Sequence, residues 1–173
     1  PTGKNFCSVD SRGLPTESAW IVGCKSASQI LDLYKQENGE DLKNLAISVW
    51  ATSTMRNGGE DICQILYLLG VQPIWDGPSR RVIDLEIIPL SVLDRPRVDV
   101  TLRISGMFRD AFPQLVKLTS KAINLVSNLN ENDIFNPLAR ALKEGDAVNR
   151  IFGSAPGSYL SLIHISEPTR HES

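Results

Sequence analysis

Residues 98–104, VDVTLRI, alternate strictly between apolar and polar side chains. This period of two predicts a β-strand that buries one face and leaves the other polar. Ser105 and Gly106 then break the pattern, and helical spacing of apolar residues predicts a helix from about Met107 to Leu129. Pro113 either lies near the start of that helix or marks a break after a first short turn.

Upstream segments repeat this alternation of helix and strand. Thr16 is a suitable N-cap for an amphipathic helix that Gly39 can end. The apolar run LAISVW, residues 45–50, predicts a strand buried on both faces. A polar loop follows and leads through Gly58 and Gly59 into a helix that ends at Gly70.

Two further extended segments, QPIW and RVIDLEIIPL, flank the turn DGPS, and the second is typical of a half-exposed or edge strand. Helices and strands in this order favour a layered, Rossmann-like α/β domain with a mainly parallel sheet. At 173 residues the chain can bury one substantial core. We therefore expect residues 1–159 to form one α/β domain.

Charge and hydropathy exclude several classes of partner. The net charge of −2 gives no electrostatic reason to expect nucleic acid. No apolar run is long enough to span a bilayer, and no signal-peptide pattern precedes the first helix. We expect a soluble, cytoplasmic protein. Its three cysteines, widely spaced, fit neither a disulfide framework nor a zinc knuckle, and we expect small buried or half-buried thiols.

Both ends of the chain are unusual. The chain begins at Pro1 without methionine, and we expect an internal fragment of a longer protein. The segment LSLIHISEPTR matches one reading frame of an adaptor used in sequencing libraries, so we expect residues 160–173 to be adaptor read-through. Both histidines lie in that tail, so within residues 1–159 a histidine base, a Ser-His-Asp triad or a histidine metal ligand is excluded.

The stretch SVWATSTMRNGGEDI, residues 48–62, resembles a nucleotide-binding loop only superficially. A Walker loop requires Gly-Lys-Ser/Thr at the helix start, whereas Glu60 and Asp61 follow the glycines here. The dinucleotide-binding fingerprint is also absent, because no further glycine follows Gly58 and Gly59 at the required spacing. The two acidic residues favour the helix macrodipole, which is a purely structural alternative to a functional role.

Arginines follow both predicted parallel strands. Arg56 comes after the first strand, Arg109 after the second, and Arg103 near the end of the second. Ligands of open α/β sheets bind outside the carboxyl ends of strands, so these arginines are candidates for binding a carboxylate-bearing substrate or partner. Asp110 can instead pair with one of them in a structural network. Both alternatives stay open.

Several motifs in register resemble one family. They are PTGKNF, SVDSRGLPT, VWATSTMRNGGEDI, LLGVQPIWD, SRRV, IPL, RPRVDVTLRISGMFRDAFP and RIFGSAPGSY. In this order they resemble the cobaltochelatase/magnesium chelatase large-subunit family, across essentially residues 1–159. TMRNGGEDI and VTLRISGMFRDAFP are more similar to the cobalt enzymes. Ala51 and Ala155 depart from the usual glycine and lysine of the family.

The resemblance implies that this domain is part of a larger multidomain subunit, and it also implies a function. It implies a tetrapyrrole-binding large subunit of an ATP-dependent cobaltochelatase, which inserts cobalt into hydrogenobyrinic acid a,c-diamide in cobalamin biosynthesis. Cobalt is then a substrate ion, and two AAA+-related partner subunits bind ATP with magnesium. A fragment of this length is expected to be inactive alone. The alternatives are a magnesium chelatase large subunit, acting on protoporphyrin, and a detached, non-catalytic interaction domain.

Metal insertion displaces two protons from the ring nitrogens, so carboxylates are candidate proton acceptors or transient metal ligands. Within the two loops the candidates are Glu60, Asp61 and Asp110. The sequence assigns no residue as a metal ligand. Arg56, Arg103 and Arg109 are the expected substrate-binding residues.

Overall fold

The strand with strictly alternating polarity lies at the centre of a three-stranded parallel sheet. The computed structural model describes residues 13–153. Cys7, the PTGKNF motif, Ala155 and the segment 160–173 with both histidines lie outside the described residues. The elements in chain order are α1 (Glu17–Asn38), β1 (Asn44–Val49), α2 (Ala51–Asn57), α3 (Glu60–Leu69), β2 (Val71–Trp75), β3 (Val82–Ile87), α4 (Leu90–Leu93), β4 (Asp99–Ile104), α5 (Gly106–Ala111), α6 (Pro113–Ser127), α7 (Pro137–Lys143) and β5 (Ile151–Gly153).

The parallel sheet has the order β1-β4-β5. In β4 the apolar residues Val100, Leu102 and Ile104 are buried, while Arg103 is exposed, as the alternation predicts. Helices α3 and α6 lie in the crossovers from β1 to β4 and from β4 to β5, and they pack against each other. The predicted α/β class with a parallel sheet is confirmed.

Helix α1 packs on α3 and begins and ends where the sequence predicts. The Thr16 side chain accepts a hydrogen bond from the Ala19 amide at 3.1 Å, which caps the first turn. Gly39 ends the helix in the left-handed conformation with φ of 75°. A side chain at Gly23 would collide with α3, since its Cβ would lie 2.5 Å from the Cβ of Cys63. This glycine therefore sets how closely the two helices approach.

The prediction that the LAISVW strand is buried on both faces is wrong. Val49 is fully buried, but Asn44, Ala46 and Ser48 are exposed. The reason is that, within residues 13–153, helices cover only one face of the sheet, and β1 is an edge strand. Its sequence is apolar enough for a strand with two covered faces, whereas the described part of the chain covers one.

In two segments the observed helices differ from the predicted ones. The polar loop after β1 is the short helix α2, in which Ala51 and Thr54 are buried. The long helix is interrupted at Phe112, whose φ of −130° and ψ of 55° are not helical, and Pro113 starts α6. Proline disfavours helical geometry in the residue before it, which explains the break. Of the two alternatives for this proline, the break is confirmed.

The second pair of extended segments forms an antiparallel hairpin apart from the parallel sheet. Strands β2 and β3 pair from Val71↔Ile87 to Ile74↔Asp84, and the register then shifts by one residue so that Trp75 pairs with Val82. Asp76 holds the turn, because its carboxylate accepts a hydrogen bond from the Ser79 amide at 3.0 Å. The half-exposed character expected of β3 is confirmed, since Leu85 is buried and its neighbours Asp84 and Glu86 are exposed.

Candidate functional site

The carboxyl ends of all three parallel strands lie at one edge of the sheet. The register pairs Val49 with Ile104 and Ile104 with Gly153. Helix α2 leaves the end of β1, helix α5 leaves the end of β4, and the two helices are in contact. The structure therefore brings together the two segments that carry Arg56 and Arg109, as the parallel arrangement predicts.

Buried side chains fix both short helices at this edge. Ser105 caps α5 by accepting a hydrogen bond from the Phe108 amide at 3.0 Å. Phe108 and Phe112 are both buried, with ring centroids 5.4 Å apart. On α2, Ala51 and Thr54 face the interior. The polar residues of these helices are thus presented on a rigid base.

The three candidate arginines lie on two different surfaces. Arg56 is exposed in the last turn of α2, and Arg109 is half-buried in the last turn of α5. Arg103 is exposed on β4, one residue before the strand ends, on the sheet face away from the helices. At about 3.3 Å per strand residue, it is still close to the carboxyl edge.

The double glycine has a structural explanation. Gly58 and Gly59 adopt positive φ angles of 79° and 95°. They pack against the segment before α1, since a Cβ on Gly58 would lie 2.9 Å from the Thr16 hydroxyl and one on Gly59 would lie 3.1 Å from Pro15. The Thr16 amide also donates to the Gly58 carbonyl at 3.0 Å. The glycines therefore permit a close backbone approach within the chain itself.

The side chain of Asn57, the last residue of α2, fixes the acidic first turn of α3. Its side-chain oxygen accepts hydrogen bonds from the amides of Gly59 at 3.0 Å and Glu60 at 3.1 Å. Glu60 and Asp61 follow directly and are half-buried. Because α3 leads from the carboxyl end of β1 back toward the start of β4, its first turn lies on the side of the candidate edge.

The Asp61 carboxylate is half-buried in the first turn of α3. Partial burial raises its pKa above the ordinary value. Within residues 13–153 its side chain forms no hydrogen bond or ion pair. Asp110 is exposed beside Arg109 on α5. A half-buried carboxyl without a cation nearby is suited to exchange protons with a bound ligand.

Thr54 is a further residue at this edge that the sequence does not single out. Its hydroxyl is fully buried and has no hydrogen-bond partner among the described residues. Its carbonyl accepts from the Gly58 amide at 3.1 Å, where α2 ends. A buried hydroxyl without a partner is unfavourable, but its position within the polar run ATSTMRN gives no signal that distinguishes it from its neighbours.

The two described cysteines are buried or half-buried thiols. Cys24 and Cys63 are free thiols, and burial raises the pKa of Cys24 to about 11 and that of Cys63 further still. The expectation of small buried thiols is confirmed for Cys63 and, as a half-buried thiol, for Cys24. Residues 13–153 contain no cluster of three or more His, Cys, Asp or Glu side chains arranged to bind a metal. None of their helices is both long and apolar enough to cross a membrane.

Comparison with known proteins identifies relatives of this chain. It is 50% identical to the aerobic cobaltochelatase subunit CobN of Pseudomonas aeruginosa over 92% of this chain. It is 47% identical to the CobN subunit of a Sinorhizobium species over the same share. Magnesium-chelatase subunit ChlH of Oryza sativa subsp. japonica is 31% identical over 96% of this chain. The chain spans 13–14% of the length of these relatives.

A solved structure has the same fold. The catalytic subunit of cobaltochelatase from Mycobacterium tuberculosis superposes with a TM-score of 0.83 and 46% identity, covering 88% of this chain and 14% of that one. A family model described as CobN/Magnesium Chelatase matches residues 1–165. Since this match includes most of the chain, the chain belongs to the CobN/magnesium chelatase family.

Proposed function

We propose that this chain is part of the tetrapyrrole-binding large subunit of an ATP-dependent, cytoplasmic cobaltochelatase. The reaction is insertion of cobalt into hydrogenobyrinic acid a,c-diamide during cobalamin biosynthesis. The observation that carries this choice is the identity of 47–50% to cobaltochelatase subunits, against 31% to a magnesium-chelatase subunit. Insertion of magnesium into protoporphyrin is the weaker alternative. At 13–14% of the relatives' length, the chain alone is expected to be inactive.

Arginines at the carboxyl edge of the sheet are proposed to bind the substrate. Arg56 on α2 and Arg109 on α5 lie on two helices that touch, and Arg103 lies one residue before the end of β4. A corrinoid substrate carries peripheral carboxylates, and a guanidinium can bind each through two parallel hydrogen bonds. Arginines on separate rigid elements would fix the orientation of a large ring better than one flexible group.

Carboxylates near the same edge are proposed to accept the displaced protons. Insertion breaks two N–H bonds of the ring and forms bonds between the nitrogens and the metal ion, with no change in oxidation state. Asp61 is the first candidate because burial raises its pKa, which improves it as a base. Glu60 and Asp110 are the other candidates, and either can pass a proton to water.

Two AAA+-related subunits are proposed as partners that hydrolyse ATP with magnesium. This division of labour agrees with the acidic start of α3, where Glu60 and Asp61 occupy the positions at which a phosphate loop would carry Lys and Ser or Thr. The chain itself would then supply substrate contacts, and the energy of ATP hydrolysis would enter through the partners.

A reconstituted insertion assay tests this proposal. The intact large subunit that contains this chain is combined with its two partner subunits and ATP. Cobalt with hydrogenobyrinic acid a,c-diamide is compared with magnesium and protoporphyrin, and insertion is followed by the absorbance of the metallated ring. We expect insertion of cobalt that requires ATP. Insertion of magnesium only would replace the proposal with the magnesium chelatase alternative.

A further inference from the structure

One face of the parallel sheet is bare within residues 13–153. Ser48, Arg103 and Phe152 occupy paired register positions on neighbouring strands, so their side chains form one row across this face. All three are exposed, Phe152 by 49%. Ala46 lies one pleat earlier on β1 and is also exposed, and Trp50, just after the strand, is exposed by 56%.

The opposite face contacts the helices. Val49, Leu102 and Ile104 belong to the same core cluster as the buried residues of α3 and α6. The chain moves in one direction across the sheet, from β1 to β4 to β5, with α3 and α6 in the two crossovers. Right-handed crossovers that proceed in one direction place their helices on one face. The winding therefore explains why the helices of residues 13–153 leave the other face uncovered.

The outer edge of β1 is unpaired within residues 13–153. β1 pairs only with β4 among the described residues, although it is the first parallel strand and its sequence, NLAISV, is mostly apolar. Parallel sheets occur almost only with both faces covered, and an unpaired apolar edge favours association with another strand. The relatives are far longer, since this chain spans 14% of the CobN subunits.

We propose that another part of the same large subunit completes this sheet. Its strand pairs in parallel with the free edge of β1, and its helix covers Ala46 and Ser48 on β1, while Arg103 on the neighbouring strand stays open toward the carboxyl edge. The small side chains of Ala46 and Ser48 allow that helix to approach the sheet closely. The occupant is therefore an α/β unit with an apolar helix face, from the same polypeptide.

A sheet completed in this way also predicts where a ligand binds. If the sheet continues past β1 in the opposite direction, its strand order reverses next to β1, and ligands of doubly wound sheets bind at that switch point. The switch point then lies at the carboxyl end of β1, beside Trp50 and the start of α2. The inference about the cover rests on family membership, and the location of the ligand rests in addition on the proposed function.

Thiol labelling of the intact large subunit tests the cover. In a Ser48→Cys variant, the rate of modification by a maleimide is measured by peptide mass spectrometry in the native subunit and in urea. We expect modification at least 100-fold slower in the native subunit, without any ligand or partner. A Ser79→Cys variant, on the exposed turn of the β2–β3 hairpin, gives the rate of an accessible thiol in the same fold.

Other outcomes overturn the proposal in distinguishable ways. Native labelling as fast as in urea means that the face is open. Protection that appears only with the tetrapyrrole, only with the ATPase partners, or only at high subunit concentration means that substrate, partner or a second copy covers it. The tetrapyrrole result would leave the proposed function intact while removing this inference.

Hydrogen exchange of the unmodified subunit gives an independent measurement. Along a parallel strand, successive backbone amides point alternately to the strand on one side and to the strand on the other. Half of the β1 amides therefore point away from β4. We expect slow exchange throughout Asn44–Val49. Rapid exchange of half of these amides would show that the edge is unpaired and would overturn the proposal.

Discussion

Arg97 and Glu131 form a bidentate ion pair, with Nε 2.8 Å from Oε1 and Nη2 3.0 Å from Oε2. Arg97 is 0% exposed. Its remaining donors reach the carbonyls of Leu69, Gly70 and Ile88 at 2.8–3.2 Å. All donors of the guanidinium are thereby used, and the end of α3, the end of the hairpin and the loop after α6 are joined at one point.

A Glu131→Gln variant is expected to destabilise the chain by about 3 kcal/mol, because a buried guanidinium loses its counter-charge. Burial alone raises the pKa of Glu131, but hydrogen bonds from Arg97 and Asn136 and the charge of Arg97 lower it below its ordinary value. A lowered pKa stabilises the fold above pH 4.5, and this contribution is lost as pH falls through the folded pKa.

The measurement for this variant is the urea midpoint as a function of pH. The difference between wild type and Glu131→Gln should be full at pH 7 and shrink below the ordinary pKa. Glu144→Gln is the matched control, because Glu144 forms an exposed i,i+4 pair with Arg140 and should change stability by less than about 1 kcal/mol. Equal effects of the two substitutions would refute the structural role of the buried pair.

Gly23→Ala is expected to destabilise the contact of α1 with α3. The added Cβ would lie 2.5 Å from the Cβ of Cys63 and 2.9 Å from the backbone of Gln64, so the helices must separate. Overpacking of this kind costs about 1–3 kcal/mol. Urea unfolding measures the loss, with Gly77→Ala as a control because nothing lies within 4 Å of a Cβ there. An unchanged midpoint for Gly23→Ala would contradict the close helix contact.

Asp61→Asn is expected to stabilise the fold at neutral pH. Since burial raises the pKa of Asp61 above 3.8, the folded state binds its proton more tightly than the unfolded state, and stability falls as pH rises through this range. Removing the charge removes that penalty, by less than about 1 kcal/mol because water screens a half-exposed group. Thermal unfolding at pH 7 and pH 4.5 should show a gain that narrows at the lower pH. A loss at pH 7 would mean that the helix macrodipole outweighs burial.

Local signals in the sequence predicted the elements whose determinants lie close together in the chain. The Thr16 cap, the Gly39 end of α1 and the alternation in β4 each depend on residues within a few positions. The same holds for the break at Pro113, which was one of two alternatives. These features are decided by backbone geometry and periodicity, so a single sequence suffices.

Other features depend on long-range contacts. The sequence does not indicate that Arg97 is buried, because its partner Glu131 lies 34 residues away. The exposed face of β1 could not be predicted, since the sequence shows an apolar strand but not which layers cover it. Strand β5, only Ile151–Gly153, is too short for a periodic signal. For the site, the meeting of the segments carrying Arg56 and Arg109 followed from the parallel order, while the buried hydroxyl of Thr54 had no signal.

Binding of the tetrapyrrole to the intact large subunit tests the central claim most directly. Arg56→Ala and Arg109→Ala are titrated with hydrogenobyrinic acid a,c-diamide by fluorescence quenching, beside Arg140→Ala, an exposed arginine on α7 that pairs with Glu144. Loss of one charge-assisted hydrogen bond predicts a Kd about 10- to 100-fold higher for each of the first two variants and an unchanged Kd for the third. Wild-type affinity in both Arg56→Ala and Arg109→Ala would contradict a substrate site at the carboxyl edge of this sheet.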